Sequence, residues 1–148
     1  MKRRVFLNGS LMFALSSVLS PGVVLGRYPQ TAFDSKDVDG AISALHGASS
    51  YSSSEDIIIK APRIAQNGKA VPIQVISNIP NTESISLILE SEVNPFMASF
   101  KVYGSEAFIS TRIKMEKTGN LMVVIKAGGE LFVAKQEVQV AMNNSCQA

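Results

Sequence analysis

The chain is 148 residues long, close to the length of one domain, and it carries 14 Lys and Arg residues against 12 Asp and Glu residues. Lys2, Arg3 and Arg4 are the only charged residues before Arg27, so the rest of the chain has 11 basic and 12 acidic residues and a net charge of −1. A nearly neutral body excludes a basic nucleic-acid-binding domain. One Cys and one His exclude an intrachain disulfide and the Cys₄, Cys₂His₂ and His₃ zinc sites within one chain.

Residues 1–26 are predicted to be an export signal of the twin-arginine type. Arg3 and Arg4 are followed by Val-Phe-Leu, then by a modest apolar run that ends at the small residue Gly26. Ser, Pro and Gly residues dilute the run, so a permanent membrane anchor is not expected. The alternative is a general secretory signal that happens to carry two arginines. The twin-arginine interpretation places the protein in the periplasm.

A short helix is predicted after the signal, over residues 34–45. Asp34 or Ser35 would cap it, Gly47 would end it, and its apolar residues recur with helical spacing. Residues 48–54 are rich in Ser and are predicted to form a loop.

From residue 57 the apolar period changes to two, which indicates strands. Short strands are expected at residues 57–60, 71–77, 84–89, 97–103, 108–114, 120–127, 131–133 and 136–142. The segments 97–103 and 108–114 are expected to pair with each other, and a hairpin is expected across Gly128-Gly129. Seven or eight short strands at this spacing predict a sandwich of two antiparallel sheets, with a barrel as the alternative. Because the chain has no Trp, a true antibody domain is excluded.

Cys146 is the sharpest chemical feature of the sequence. It is the only thiol and lies third from the end, in the polar run 143–148 that follows the last predicted strand. It lies four positions beyond Met142, so it could reach about 13 Å beyond the sheet. An unpaired Cys in an exported protein suggests a reactive thiol or an intermolecular bond. An incidental terminal Cys is the alternative.

Other polar residues give weaker indications. His46 at the end of the predicted helix is interpreted as a solvated residue rather than a catalytic one, because no nucleophile motif accompanies it. Arg112 and Lys114 alternate along one strand and share a face, which is interpreted as a solvated surface or as a site for an anion or a partner carboxylate. No Gly-rich phosphate loop follows a strand and opens a helix, so nucleotide binding has no support. No catalytic residue, metal or cofactor is predicted.

The chain resembles the SoxY family of sulfur-compound carriers in thiosulfate oxidation. The similarity lies in the Ala-Pro-Arg-Ile-Ala-Gln-Asn-Gly-Lys-Ala-Val-Pro stretch at 61–72, in Asn-Pro-Phe at 94–96, in Ser-Thr-Arg-Ile-Lys at 110–114 and in the Cys third from the end. The resemblance implies an all-β, immunoglobulin-like antiparallel sandwich with a short N-terminal helix, paired with a second sandwich, the SoxZ subunit. It also implies that Cys146 carries sulfur intermediates covalently and presents them to separate enzymes, including a c-type cytochrome.

The predicted organisation has four parts: the signal 1–26, a leader, helix and Ser-rich loop at 27–56, the sandwich at 57–142, and a C-terminal arm at 143–148. The family usually ends Gly-Gly-Cys-Gly-Gly, whereas this chain ends Asn-Ser-Cys-Gln-Ala. Gly permits close backbone approach, so the bulkier flanks would hinder entry into a narrow partner channel. The favoured hypothesis is a non-catalytic carrier. The alternative is a structural subunit that pairs without carrying sulfur, while a redox enzyme is disfavoured because no second Cys exists.

Overall fold

The computed structural model describes residues 29–104 and 106–141. The predicted export signal and Cys146 lie outside these residues. The described chain forms two helices, α1 (Gln30–Asp34) and α2 (Val38–His46), and nine strands: β1 (Ser52–Ser53), β2 (Ile57–Lys60), β3 (Ile64–Ala65), β4 (Val71–Ser77), β5 (Thr82–Leu89), β6 (Phe96–Lys101), β7 (Ala107–Ile113), β8 (Gly119–Ala127) and β9 (Glu130–Val140).

Two sheets pack face to face, which confirms the all-β, immunoglobulin-like sandwich with a short N-terminal helix. The larger sheet has the order β1-β9-β8-β5-β6, with β3 also paired to β9, and the smaller sheet has the order β2-β4-β7. All pairs are antiparallel except the two-residue pairs that β1 and β3 make with β9. The main core fills the space between the sheets, with Val71, Ile73, Ile85, Leu87 and Val123 among its fully buried members.

A second, smaller core lies on the outer face of the larger sheet, beneath the two helices. Ala32 and Ile42 pack there against residues such as Ile88, Met122 and Val124, all of which are fully buried. Strands β5 and β8 are therefore covered on both faces, which explains why their sequences are nearly continuous apolar runs.

The helical region differs from the prediction in its boundaries. The segment expected to be one helix is divided, since Ser35 is extended and α2 begins only at Val38. Its N-cap is Asp37, whose carboxylate accepts a hydrogen bond from the Gly40 N–H at 2.8 Å, and not Asp34 or Ser35. Gly47 ends the helix as predicted, with φ of 73°.

Among the strands, the Gly128-Gly129 hairpin is confirmed, because β8 pairs with β9 and both glycines have positive φ. The expected pairing of 97–103 with 108–114 is wrong. Strand β6 pairs with β5 in the larger sheet and β7 pairs with β4 in the smaller one, so the connection between β6 and β7 crosses from one sheet to the other.

Two further expectations are corrected at β9. In place of the separate strands predicted at 131–133 and 136–142, the described residues form one continuous strand of 11 residues, Glu130–Val140. The Ser-rich segment is not wholly a loop, because its residues Ser52 and Ser53 pair with Phe132 and Val133 of β9.

Candidate functional site

The last described residues of β9 lead toward Cys146, so the end of this strand is where a C-terminal arm would begin. The thiol itself lies outside the described residues. Val140 closes β9, and five residues stand between it and Cys146. What holds the end of β9 therefore determines how firmly the base of the arm is fixed.

The end of β9 is held by backbone hydrogen bonds from a segment distant in sequence. Strand β3 lies parallel to it. The Gln139 N–H donates to the Arg63 carbonyl at 2.8 Å, and the Ala141 N–H donates to the Ala65 carbonyl at 2.9 Å. The Val140 N–H, on the other side, donates to the Thr118 hydroxyl at 2.9 Å. Three successive amide groups are therefore satisfied up to the last described residue, and we call this arrangement the root clamp.

Gly68 forms the tightest part of the region around the clamp. Its carbonyl accepts a hydrogen bond from the Met115 N–H at 2.7 Å. A Cβ atom at Gly68 would overlap the Met115 carbonyl and come within 2.9 Å of Val140 Cγ1. Only a residue without a side chain fits this close approach of backbone to backbone.

A polar groove of about 480 Å³ runs beside the root clamp. It is lined by Arg63, Gln136, Glu137 and Gln139. Gln136 also holds the start of the segment 61–72, because its side-chain amide donates to the Ala61 carbonyl at 2.9 Å. The groove brings one cation, one carboxylate and two amides next to the base of the arm.

Arg112 and Lys114 lie on an exposed face, as their spacing predicted. They alternate with the buried residues Ile113 and Met115. Lys114 forms an ion pair with Glu116 at 2.5 Å, so of the two cations Arg112 is the one without an ion pair among the described residues.

His46 is not the solvated residue that the sequence predicted. It is half-buried at the end of α2, and its Nε2 lies 3.4 Å from the hydroxyl of the fully buried Ser86, which in turn lies 2.9 Å from the Ser99 hydroxyl. Burial lowers the pKa of the imidazole below its ordinary value of 6.5, and the nearby positive charge of Lys126 lowers it further. The neutral ring is therefore favoured at pH 7.

Sequence reasoning did not find the root clamp, although it singled out the segment 61–72 that builds it. A two-residue strand such as Ile64–Ala65 has no periodicity to detect, and its partner is about 75 residues away. Within residues 29–104 and 106–141, no helix is long and apolar enough to span a membrane, and no three His, Cys, Asp or Glu side chains form a group that could hold a metal ion.

Comparison with known proteins shows which family the chain belongs to. The model of the sulfur oxidation protein SoxY matches residues 42–146, which is more than half of the chain. The chain belongs to the SoxY family. The structure of the sulfur carrier protein SoxY from Chlorobium limicola f. thiosulfatophilum is 42% identical to it, with a TM-score of 0.66 over 74% of this chain and 96% of that chain.

Two other solved structures show much weaker likeness. One is a PKD domain of an M14-like peptidase from a Thermoplasmatales archaeon, at 15% identity, and the other is a chain from a structure on T cell specificity and activation by the bacterial superantigen toxic shock syndrome toxin-1, at 13% identity. Both have a TM-score of 0.38 over 57% of this chain, covering 91% and 99% of those chains, which is too low to bear on function. No curated protein matches this chain.

Proposed function

We propose that this SoxY-family protein is a periplasmic carrier that holds thiosulfate-derived intermediates covalently on Cys146. The observation that supports this most directly is the family match, which extends to residue 146 and so includes the thiol. The 42% identical relative from Chlorobium limicola is itself described as a sulfur carrier protein.

The loading step joins the Cys146 thiolate to the terminal sulfur of thiosulfate. One S–S bond forms, the thiol proton is lost to solvent, and two electrons leave, so that the product is a cysteine S-thiosulfonate. A c-type cytochrome partner would take up these electrons one at a time through its haem. The protein itself supplies the attachment atom, and partner enzymes supply the chemistry.

The root clamp supports this proposal in physical terms. With Gln139, Val140 and Ala141 fixed by hydrogen bonds, the six residues from Ala141 to Cys146 span at most about 20 Å. A thiol tethered at such a length stays at high effective concentration near any enzyme that binds the sandwich. A fixed base limits the volume that the thiol can explore.

We also propose that the protein pairs with a SoxZ-like sandwich across the outer face of the smaller sheet. The helices cover part of the outer face of the larger sheet, whereas the smaller sheet exposes the cross-strand row Ile58, Ile76 and Phe108. Phe108 is 50% exposed and Ile58 is 40% exposed. An apolar row of this kind on a β-sheet is typical of a protein interface.

The test of carriage is the intact mass of the protein after incubation with thiosulfate and the oxidising cytochrome. We expect one thiosulfate to be added to the native chain and none to Cys146→Ser, which should fold equally well. A reductant that cleaves disulfides should remove the adduct. If the native chain gains no mass under conditions that load another SoxY protein, the carrier function is wrong.

A second candidate function is a structural subunit that pairs with a SoxZ-like chain without carrying sulfur. The observation that favours it is the loss of every Gly that usually flanks the Cys in this family. A variant that restores Gly at the four flanking positions tests whether the native tail limits delivery by a carrier. Faster turnover by partner enzymes than with the native tail would show that side-chain bulk limits delivery, whereas equal turnover would show that the substitutions are neutral. The positions changed are Asn144, Ser145, Gln147 and Ala148.

A further inference from the structure

A second polar site lies at the opposite end of the larger sheet from the root clamp. Strand register places Lys101, Ser84 and Lys126 side by side in one cross-strand row, and Ser99 and Ser86 in the next row. Because residues opposite each other in a sheet share a face, the two lysines flank Ser84 on the outer face.

This row marks a sharp change in the chemistry of the outer face. Further along the same strands the face is apolar and lies beneath the helices, with Ile88, Phe96 and Met122. At the Ser84 row it consists of hydroxyl groups and ammonium groups instead. The end of α2 forms one wall, through Leu45 and His46, and leaves an open cavity of about 700 Å³ between helix and sheet.

The Ser99 hydroxyl group of this cavity is held by a hydrogen bond to a buried neighbour. Ser86 is fully buried, and its hydroxyl connects the His46 ring to the Ser99 hydroxyl, at 3.4 Å and 2.9 Å. Because burying a hydroxyl costs free energy unless it is hydrogen-bonded, the chain of contacts holds Ser99 in place. Ser99 in turn lines the cavity together with Ser84.

The charges around the cavity favour an anion, but only moderately. Lys126 lies 3.5 Å from Glu83, whereas Lys101 has no ion-pair partner among the described residues. The C-terminal end of α2 adds a partial negative charge near His46. Two ammonium groups therefore face one carboxylate and one helix end, and Tyr103, which is 85% exposed, lies at the rim.

We propose that this cavity binds a small tetrahedral oxyanion of the sulfate, phosphate or thiosulfate class, held by Lys101, Lys126 and the Ser84 and Ser99 hydroxyls. The cavity is larger than the bare ion, so the ion keeps part of its hydration and binds weakly. The site is separate from Cys146. Val140 lies nine residues beyond Leu131, the partner of Lys126, which is about 30 Å along β9, and an arm of about 20 Å cannot return over that distance.

His46 is a built-in reporter of this site, because it is the only His in the chain. Its neighbours across the cavity are Lys126 on β8, Lys101 on β6 and Glu83 on β5. A bound anion would partly cancel the effect of Lys126, which lowers the pKa of His46, so the imidazole would become easier to protonate. A negative charge near the ring favours its protonated form, so the expected change is a rise in the pKa of His46.

The experiment follows the His46 Cε1–H resonance against pH in the full chain, without a histidine tag and with Cys146→Ser to prevent covalent addition. Titrations in chloride, sulfate, phosphate and thiosulfate are compared at equal ionic strength. We expect the pKa of His46 to be higher in an oxyanion than in chloride. A rise of this pKa in thiosulfate alone would show that the site selects the terminal sulfur of thiosulfate, and a rise in all three oxyanions would show a general oxyanion site.

Three variants make the test specific. Lys101→Gln should remove at least half of the rise, Glu83→Gln should lower the oxyanion concentration needed for it, and Lys60→Gln, on the smaller sheet, should leave it unchanged. The proposal is overturned if chloride and the oxyanions give the same pKa, or if Lys60→Gln reduces the rise as much as Lys101→Gln does. Because Cys146 is absent from all samples, the outcome is independent of the carrier function.

Discussion

Replacing Gly68 by Ala should loosen the root clamp specifically. The added Cβ would overlap the Met115 carbonyl and press on Val140. The Met115 backbone must then shift, which disturbs the hydrogen bond from the Met115 N–H to the Gly68 carbonyl. The perturbation is confined to the contact between the 61–72 segment and the end of β9.

The size of the effect follows from two contributions. Forcing an extra methyl group into a close-packed site costs about 1–3 kcal/mol, and a weakened backbone hydrogen bond costs about 1 kcal/mol. Unfolding free energy should therefore fall by about 2–4 kcal/mol. For a domain of this size, each kcal/mol corresponds to a decrease of about 4 °C in Tm. A decrease of about 8–16 °C is expected.

Two measurements check this prediction. Thermal unfolding followed by circular dichroism gives the decrease in Tm, and Lys69→Ala, at the exposed neighbouring position, is the matched control that should change Tm little. Amide hydrogen exchange should show faster exchange at Gln139 and Ala141 than in the native chain, with the centre of β5 less affected. A Gly68→Ala variant that melts within about 1 °C of the native chain, or that exchanges faster everywhere by the same factor, would refute the reasoning about a local clamp.

Four further outcomes follow from the sequence and the described residues. Replacing Arg3 and Arg4 by Lys should retain the precursor in the cytoplasm, as fractionation would show, and normal export would indicate a general secretory signal instead. Asp37→Ala should lower the unfolding free energy by about 1 kcal/mol through loss of the α2 cap, whereas Asp37→Asn should lose little, and equal losses would contradict a capping role. Burial alone would raise the pKa of Glu90, but hydrogen bonds from Lys135 and Asn120 outweigh it and hold that pKa below its ordinary value of 4.5. The difference in unfolding free energy between the native chain and Glu90→Gln should therefore be present at neutral pH and disappear as acid protonates the folded carboxyl. A difference that is independent of pH would contradict this. Phe108→Ser should weaken pairing with a SoxZ-like chain by about tenfold without unfolding the sandwich, as calorimetry would show, and unchanged affinity would place the interface elsewhere.

The parts of the fold that the sequence predicted are those determined by local chemistry. Gly128-Gly129 between two apolar runs predicts its hairpin because the turn needs positive φ at both residues, and both have it. The end of α2 at Gly47 is predicted for the same reason. In each case the information lies within a few residues of the structure that it specifies.

The prediction that β6 pairs with β7 was wrong because a connection near Gly104 has the same composition whether the chain turns back in one sheet or crosses to the other. Strand pairing is decided by the neighbouring strands that are available. Strand β6 pairs with β5 in the larger sheet, and β7 pairs with β4 over seven residues in the smaller one. The burial of His46 was not predicted because it also depends on residues that are distant in sequence. Its burial depends on Ser86, which is 40 residues away.

The N-cap of α2 shows a different limit. Asp34, Ser35 and Asp37 are all competent capping residues within four positions, so composition alone cannot choose among them. The choice follows from packing, because a start at Val38 places Ala41 and Ile42 against the larger sheet, where both are fully buried.

The two ends of the larger sheet have opposite physical characters, and this bears on how a carrier of this kind would work. At the root clamp, backbone amides are fixed by backbone carbonyls and one hydroxyl, so the hydrogen bonds that hold the base of the arm involve no titratable side chain. At the far end, lysines and a half-buried His surround an open cavity, so that end should respond to pH and salt. The same two strands, β8 and β9, connect the ends through a continuous ladder of hydrogen bonds. An oxyanion that binds near Lys101 would therefore alter the charge of the domain without moving the base of the arm, and it would change which partners are attracted to the sandwich rather than where the thiol is presented.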